Sequence, residues 1–437
     1  MILPDYVKYC LQELESAGYP AYAVGGCVRD SLLGNTPHDF DLCTGAKPHE
    51  ICSVFSHLPL VKNGEKHGTI GVVIDHHLVE ITTFRTEGGY QDNRHPDWVN
   101  FVSSLDEDLA RRDFTVNAMA YSPKEGYIDP FGGREDLENR ILRAVGDPGE
   151  RFTEDSLRIL RGVRFAVRFH LTPEENTKDA LFRLAPLMDN LARERVFAEL
   201  CKLLTYVNAQ DLLTYAPVIT QVIPELAPSV GFRQNSPHHL YDVYTHTAQV
   251  TSAMPPEPTL RWAALLHDVA KPQCYTEDEN GRGHFKGHAP AGAELADKIL
   301  QRLKAPNALR ERVVFLIGQH MTPFTPDKKV LRRRLGKWGQ EATRQLLTLQ
   351  RADFCSKGTG TAQEERVFAD VEACLAEVLE EGSCFTVKDL AVGGNDLLAL
   401  GMTGKQIGET LETLLAKVQN EELPNEKEAL LSAVKER

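Results

Sequence analysis

The order of apolar and polar positions divides the chain into a mixed front part and a long helical remainder. Residues 4–17 predict a helix, and Tyr22–Val24, Ile70–Ile74 and Leu78–Phe84 are short apolar runs that read as strands. In the last of these Glu80 stands between Val79 and Ile81, so its carboxylate falls on the face opposite theirs. After Asp147-Pro-Gly149 the pattern becomes helical and stays so almost to the end. Thr153 is placed to cap a helix beginning at Glu154. Further helices are expected through 193–205, 240–253, 258–270, 289–304, 308–320, 340–353, 362–380 and 405–418. The segment 354–361, FCSKGTGT, is the best internal linker. The expected fold class is α+β, a mixed-sheet head followed by an elongated all-α remainder. Its segments are set at 1–147, 148–210, 211–354 and 355–437.

Composition narrows this picture in two ways. No stretch approaches the roughly 18 apolar residues of a membrane span, and the N-terminus lacks the basic flank and apolar run of a signal peptide. Nine cysteines without a CxxC pair favour reduced thiols and a cytoplasmic setting. The net charge of −13 counts against a general polyanion binder but leaves room for a local basic track. Two tracks stand out: Arg158, Arg161, Arg164 and Arg168, and Lys328, Lys329, Arg332, Arg333, Arg334 and Lys337.

The candidate chemistry begins with HDFDL at 38–42. Residues two apart on a strand share a face, so Asp39 and Asp41 can ligate one metal cluster, with Glu80 as a third carboxylate from a neighbouring strand. Alone, two such aspartates are more often a solvated turn or a helix cap. Fourteen residues upstream of them, a strand ends in Gly25-Gly26 before a helix start. Such a turn exposes backbone N–H groups to a phosphate, with Arg29 nearby to assist.

These residues resemble the tRNA nucleotidyltransferase and poly(A) polymerase family of the polymerase-β superfamily, in its bacterial-type class II. The motifs that carry the resemblance are GGCVRDSLLG with HDFDL, then RRDFTVNAMAY (111–121), DPFGGREDL (129–137), EDSLRILRGVRF (154–165) and, more weakly, RERVFAELCK (193–202). The resemblance implies a polymerase-β-like head holding Mg²⁺ on Asp39, Asp41 and Glu80. It also implies template-independent addition of C, C and A to the 3′ end of tRNA from CTP and ATP, with binding to the acceptor arm. Asp155 and Arg158 would select the base. Cytosine and adenine both pair an amino donor with a ring-nitrogen acceptor, which a carboxylate and a guanidinium can read together. Uracil and guanine reverse both groups, and each hydrogen bond left unmade costs about 1–3 kcal/mol. On one helix the two would be i,i+3 neighbours; a capping acid with an intrahelical ion pair is the plainer alternative. By the same resemblance Arg112, Arg161 and Arg164 contribute to the nucleotide site, while Asp113 and Asn117 hold the ribose or the domain junction. The plainer reading of Arg164 and Arg168 is a solvated basic face. The resemblance also implies that the polar loop at 84–96 helps switch from C to A addition, and its full length argues against an enzyme that adds only CC. An A-adding enzyme or a poly(A) polymerase shares most of these motifs.

A second constellation lies in the helical half: His246, His267, Asp268, His284, His288, His320 and Asp353. It resembles the HD phosphohydrolase superfamily, whose ordered ligands match His246, His267, Asp268 and Asp353. His288 and His320 match the additional positions of two-metal members. The implied cofactor is a second divalent metal (Mg, Mn, Ni or Co), and the implied activity is hydrolysis of 2′,3′-cyclic phosphates or 3′-phosphates on RNA ends. A rival reading is an HD hydrolase whose head only binds RNA. The tail from about 385 resembles the region that holds the tRNA elbow; its GKQIG at 404–408 suits a phosphate or a simple helix cap equally.

Overall fold

The computed structural model describes residues 1–88, 98–237, 239–359, 362–382 and 385–435. It divides into two units, Met1–Val207 with Thr214–Pro224, and Asn208–Leu213 with Glu225–Arg437.

The first unit opens with helix α1 (Asp5–Ser16), strand β1 (Ala21–Val24), α2 (Gly26–Leu32), β2 (Asp41–Thr44) and α3 (Pro48–Val54). Strands β3 (Leu60–Val61), β4 (Thr69–Ile74) and β5 (His77–Thr83) follow. A separate hairpin pairs β6 (Arg85–Gly88) with β7 (Trp98–Phe101). Then come α4 (Leu105–Ala110), β8 (Ala120–Ser122), β9 (Gly126–Ile128) and α5 (Gly133–Glu138). Seven strands form one mixed sheet in the order β3-β4-β5-β2-β1-β8-β9, in which only β2 and β5 pair in parallel. On one face Tyr22, Val24 and Cys43 are buried with Phe84, Leu109, Ala118, Ala120 and Val145. That apolar cluster stops at Cys43, and Asp41 continues the same face beyond it.

Helices α6 (Pro148–Glu154), α7 (Leu157–Phe169), α8 (Glu175–Arg183) and α9 (Arg193–Leu204) complete this unit with α11, and α10 (Ala209–Thr214) and α11 (Ala216–Val222) follow in the chain. The helix expected from Glu154 starts six residues earlier. Asp147 caps it by accepting from Glu150 N at 2.9 Å, and Pro148 follows at the first helical position. Thr153 lies inside α6 and donates to Gly149 O.

The second unit contains α12 (Val243–Ala253), α13 (Pro258–Leu266), α14 (His288–Arg302), α15 (Asn307–Gln319), α16 (Lys328–Trp338) and α17 (Gln340–Cys355). After them come α18 (Ala362–Glu380), α19 (Gly394–Ala399), α20 (Lys405–Gln419) and α21 (Lys427–Lys435). The last three surround a small apolar core of Leu390, Leu397, Leu411, Leu414 and Leu430. Gly404 is the N-cap of α20. The second basic track forms α16, much of it tied internally: Lys328 pairs with Glu381 at 2.7 Å and Arg332 with Glu381 and Glu421 at 2.8 and 2.6 Å. No helix among the described residues is long and apolar enough to cross a membrane.

Candidate active site and candidate metal centre

The parallel register of β2 and β5 sets Asp41 directly beside Glu80. Only Asp41 belongs to β2; Asp39 lies two residues ahead of it, with Phe40 buried between them. The side chains of Asp39, Asp41 and Glu80 are all exposed. Partial desolvation, Glu80 and Asp39 push the Asp41 carboxyl upward against the pull of Arg112. Three carboxylates that repel one another, with no basic side chain paired to any of them among the described residues, form a donor set that a hard divalent cation would relieve. Their oxygens do not converge within 4.8 Å, so the chain presents them without drawing them into a closed cage.

Behind this edge the motifs build a connected support. Gly25 has φ +76°, and a Cβ there would meet Arg112 Nη1 at 3.0 Å, so the turn from β1 into α2 needs glycine. Gly26 opens α2. The Arg29 guanidinium is buried: it pairs with Asp30 at 2.7 Å, donates to Asn117 Oδ1 and stacks 4.3 Å from the Phe169 ring. Asn117 donates to Asp113 at 3.0 Å, and Asp113 accepts from Arg161 Nε at 2.8 Å. Burial alone would raise the Asp113 carboxyl, but Arg161 and Asn117 outweigh it and hold it at about 2. Arg112 and Arg111 converge on the fully buried Asp108, at 3.2 and 2.8 Å. The DPFGG turn supports the same segment from below. Asp129 accepts from Gly133 N at 2.8 Å, and a Cβ on Gly133 would strike Thr115 O.

The expected base-selecting pair does not share a helix. Asp155 has an extended backbone (φ −136°, ψ 99°) that ends α6, and α7 begins after Ser156. The two remain adjacent because Arg158 N donates to Asp155 O at 2.9 Å. Asp155 Oδ2 pairs with Arg195 at 2.9 Å, while Arg158 pairs with Glu154 at 2.8 Å and donates to Arg111 O at 3.0 Å. Arg164 is also buried, paired with Glu199 at 2.6 Å and lying over the Phe165 ring at 4.2 Å. Arg168 lies over Phe169 and Tyr206. A solvated basic face is therefore not what this helix carries. Glu199, Arg195 and Asp108 are the partners that reading the sequence missed. The loop at 84–96 lies largely outside the described residues; only its flanks, β6 and β7, pair.

In the second unit the ends of five helices bring His246, His267, Asp268, His288, His320 and Asp353 together, each no more than 8% exposed. His246 Nε2 lies 2.9 Å from Asp353 Oδ1, and His267 Nε2 lies 3.2 Å from Asp268 Oδ2. His288 Nε2 lies 3.5 Å from Asp268 Oδ1 and 3.2 Å from His320 Nε2. Two triads of ligand atoms result, His246-His267-Asp268 and Asp268-His288-His320, sharing one carboxylate. Each imidazole is oriented through its other nitrogen. Nδ1 of His267, His288 and His320 donates to the carbonyl three residues earlier at 2.7 Å, and that of His246 faces Ser356 O at 3.3 Å. A carbonyl can only accept, so all four Nε2 atoms are the ones turned inward as ligands. His267 Nε2 is buried with no hydrogen bond of good geometry, and Asp268 Oδ2 is met only by charged neighbours at ion-pair distance. Burial opposes protonating His267, but Asp268 and Asp353 outweigh it and raise its pKa, while burial pushes His320 down to about 4. The residues fit a divalent metal, and four imidazoles beside two carboxylates suit a transition ion.

His284 stands apart from this cluster, exposed in a short hairpin and paired with Asp278 at 2.9 Å. Lys271, one turn beyond Asp268, was not expected: it is buried, 2.7 Å from Asp268 Oδ2 and 3.0 Å from Gln234 Oε1. The segment taken for a linker supplies Ser356 O, and Lys357 O accepts from Leu240 N at 3.1 Å.

Comparison with known proteins follows this division. A Poly A polymerase head domain matches residues 21–143, a probable RNA and SrmB-binding site of polymerase A matches 170–229, and an HD domain matches 238–358. The CCA-adding enzyme of Enterococcus faecalis is 33% identical over 97% of this chain and 94% of its own length. That of Levilactobacillus brevis is 36% identical over 98% and 97%. Among solved structures, the Bacillus stearothermophilus CCA-adding enzyme in complex with CTP superposes with a TM-score of 0.73 at 29% identity, covering 100% of this chain and 98% of that one. With two such relatives along its whole length, the chain belongs to the CCA-adding enzyme family of nucleotidyltransferases.

Proposed function

We propose that this enzyme adds C, C and A to the 3′ end of tRNA from CTP and ATP, releasing pyrophosphate at each step, and that Asp39, Asp41 and Glu80 are its Mg²⁺ ligands. The observation that carries this reading is the register of Asp41 beside Glu80 at the exposed end of the sheet, in a chain of this family. When bound there, Mg²⁺ ions lower the pKa of an attacking 3′-hydroxyl and neutralise the triphosphate. The chain's own residues do the positioning. The Gly25-Gly26 turn brings backbone amides to the phosphates, and Arg112, steadied by Asp108, sits beside them. Arg29, Asn117, Asp113 and Arg161 hold that turn against α7. Asp155 and Arg158 present an acceptor and a donor to the base once their present partners, Arg195 and Glu154, yield to it. A tRNA lacking CCA, one ending in C75 and a complete one, each given CTP and ATP, test the proposal. Products of +3, +1 and 0 are expected. Growth on the C75 end alone would make it an A-adding enzyme, and unlimited adenylation a poly(A) polymerase.

The second unit supports a second reading, a metal-dependent phosphohydrolase acting on 2′,3′-cyclic phosphates or 3′-phosphates of RNA ends. Four imidazoles locked through Nδ1 with their Nε2 atoms converging carry it. His267→Ala is expected to remove Mn²⁺- or Ni²⁺-dependent phosphoesterase activity; full activity in that variant sinks the reading.

A further inference from the structure

The cavity beside the His/Asp cluster contains donors that the metal centre does not use. It measures about 310 Å³, near the lower end of small-ligand pockets, which run from roughly 300 to 1,000 Å³. Asp268, His288, His320 and Asp353 line one part of it, and His239, Lys271, Arg282 and Lys357 another. Lys271 is committed to Asp268 and Gln234. Lys357 has no carboxylate within ion-pair distance among the described residues, and its ammonium lies 5.3 Å from the Phe354 ring. His239 also differs from the four cluster histidines. Its Nδ1 is buried with no hydrogen-bond partner among the described groups, and its ring stands edge-on to His246 at 5.2 Å. The two side chains come from segments joined directly, since Leu240 N donates to Lys357 O at 3.1 Å.

Asp353 feels the Lys357 charge without forming an ion pair with it. An ammonium in no direct ion pair among the described residues, together with an imidazole nitrogen without a partner, in a cavity beside a metal-ligating cluster, suits an anionic oxygen ligand. We infer that Lys357 and His239 form the phosphate subsite of this cavity, receiving the non-bridging oxygens of a phosphomonoester or cyclic phosphodiester held over the His/Asp cluster. The volume leaves room for a phosphate carrying a small organic group. This rests on the phosphohydrolase reading but concerns binding, which can be measured without turnover.

The probe is inorganic phosphate, titrated calorimetrically into the Mn²⁺-loaded full-length chain. Lys357→Met is expected to weaken phosphate binding on the order of tenfold, the loss of one charged hydrogen bond, with Mn²⁺ stoichiometry unchanged and Lys357→Arg restoring most of it. His239→Gln is expected to weaken it severalfold. The head contributes equally to parent and variant, so the difference reports the cavity. If 2′,3′-cyclic AMP is hydrolysed, Lys357→Met raises KM more than it lowers kcat, which a purely structural role would not produce. Phosphate affinity unchanged in a folded, metal-loaded Lys357→Met protein overturns the subsite, as does a parent that binds no phosphate. Absence of hydrolysis alongside Lys357-dependent phosphate binding sinks the hydrolase reading and leaves the subsite standing.

Discussion

The two acidic sites of this chain solve opposite electrostatic problems. In the first unit three carboxylates stand exposed at the end of a sheet, unpaired and repelling one another. In the second, two carboxylates are buried, each within ion-pair distance of an imidazole and one of them 2.7 Å from a lysine. The open arrangement suits a cation that arrives and leaves with a nucleotide, because little of the fold depends on it. The closed one suits a resident ion, since the geometry is fixed by carbonyl hydrogen bonds to Nδ1 whether or not the ion is bound. Charges left uncompensated favour function at the first site; charges left uncompensated at the second would cost stability.

Substitution should separate the two most sharply by rate. Asp41→Asn is expected to lower CTP incorporation on the order of 10²–10³-fold, the scale of removing one electrostatic stabiliser of a transition state. It should leave stability unchanged or slightly improved, since it relieves the desolvation and the repulsion by Glu80 and Asp39 that raise the Asp41 pKa. Primer-extension rates and a urea titration on the same sample measure both. Substantial unfolding of Asp41→Asn would erase the contrast.

Asp268→Ala makes the complementary case. It strips Lys271 and His267 of their buried anion, and about 3–5 kcal/mol of stability should be lost in metal-free protein. Mn²⁺ binding at the cluster should disappear with it, read by calorimetry and by the denaturant midpoint of the second unit. A decrease below about 1 kcal/mol would mean that this cluster is as loosely coupled to the fold as the carboxylates of the head.

The smallest effect concerns the support beneath the open site. Asp113 is held at about 2, below the ordinary carboxylate value, so its contribution is complete above about pH 4 and is lost as pH falls toward 2. The shift corresponds to roughly 2 kcal/mol. Asp113→Asn should flatten that part of the stability-against-pH curve in denaturant titrations between pH 4 and 2. A parallel curve for variant and parent would remove Asp113 from the support.

What the sequence made legible follows from the range of the physics involved. The strand that carries Glu80 was readable because side-chain alternation is local, and the HD cluster because its ligands come in order with adjacent His267-Asp268. The strand that starts at Asp41 was not, since Asp39 stands outside it. Partners 35 to 48 residues away were not readable: Glu199 for Arg164, Asp113 for Arg161, Arg195 for Asp155. A run of arginines at helical spacing looks like a solvated face until the acids that bury it are located. The start of α6 was available in Asp147-Pro148, a capping residue followed by proline, yet Thr153 drew attention because an acidic turn follows it. FCSKGTGT read as a linker because glycine and serine report backbone freedom, not what a carbonyl such as Ser356 O or an ammonium such as Lys357 does after the chain has folded.

The separation of the two sites is tested most directly by extending one tRNA substrate with two proteins. Parent and His267→Ala chains are each given a tRNA lacking CCA, with CTP and ATP, and the products are resolved at single-nucleotide length. Both should stop at +3, with rates within a factor of about two, since the head would act without the HD cluster. No extension by the parent, unlimited adenylation, or loss of extension in His267→Ala would contradict it.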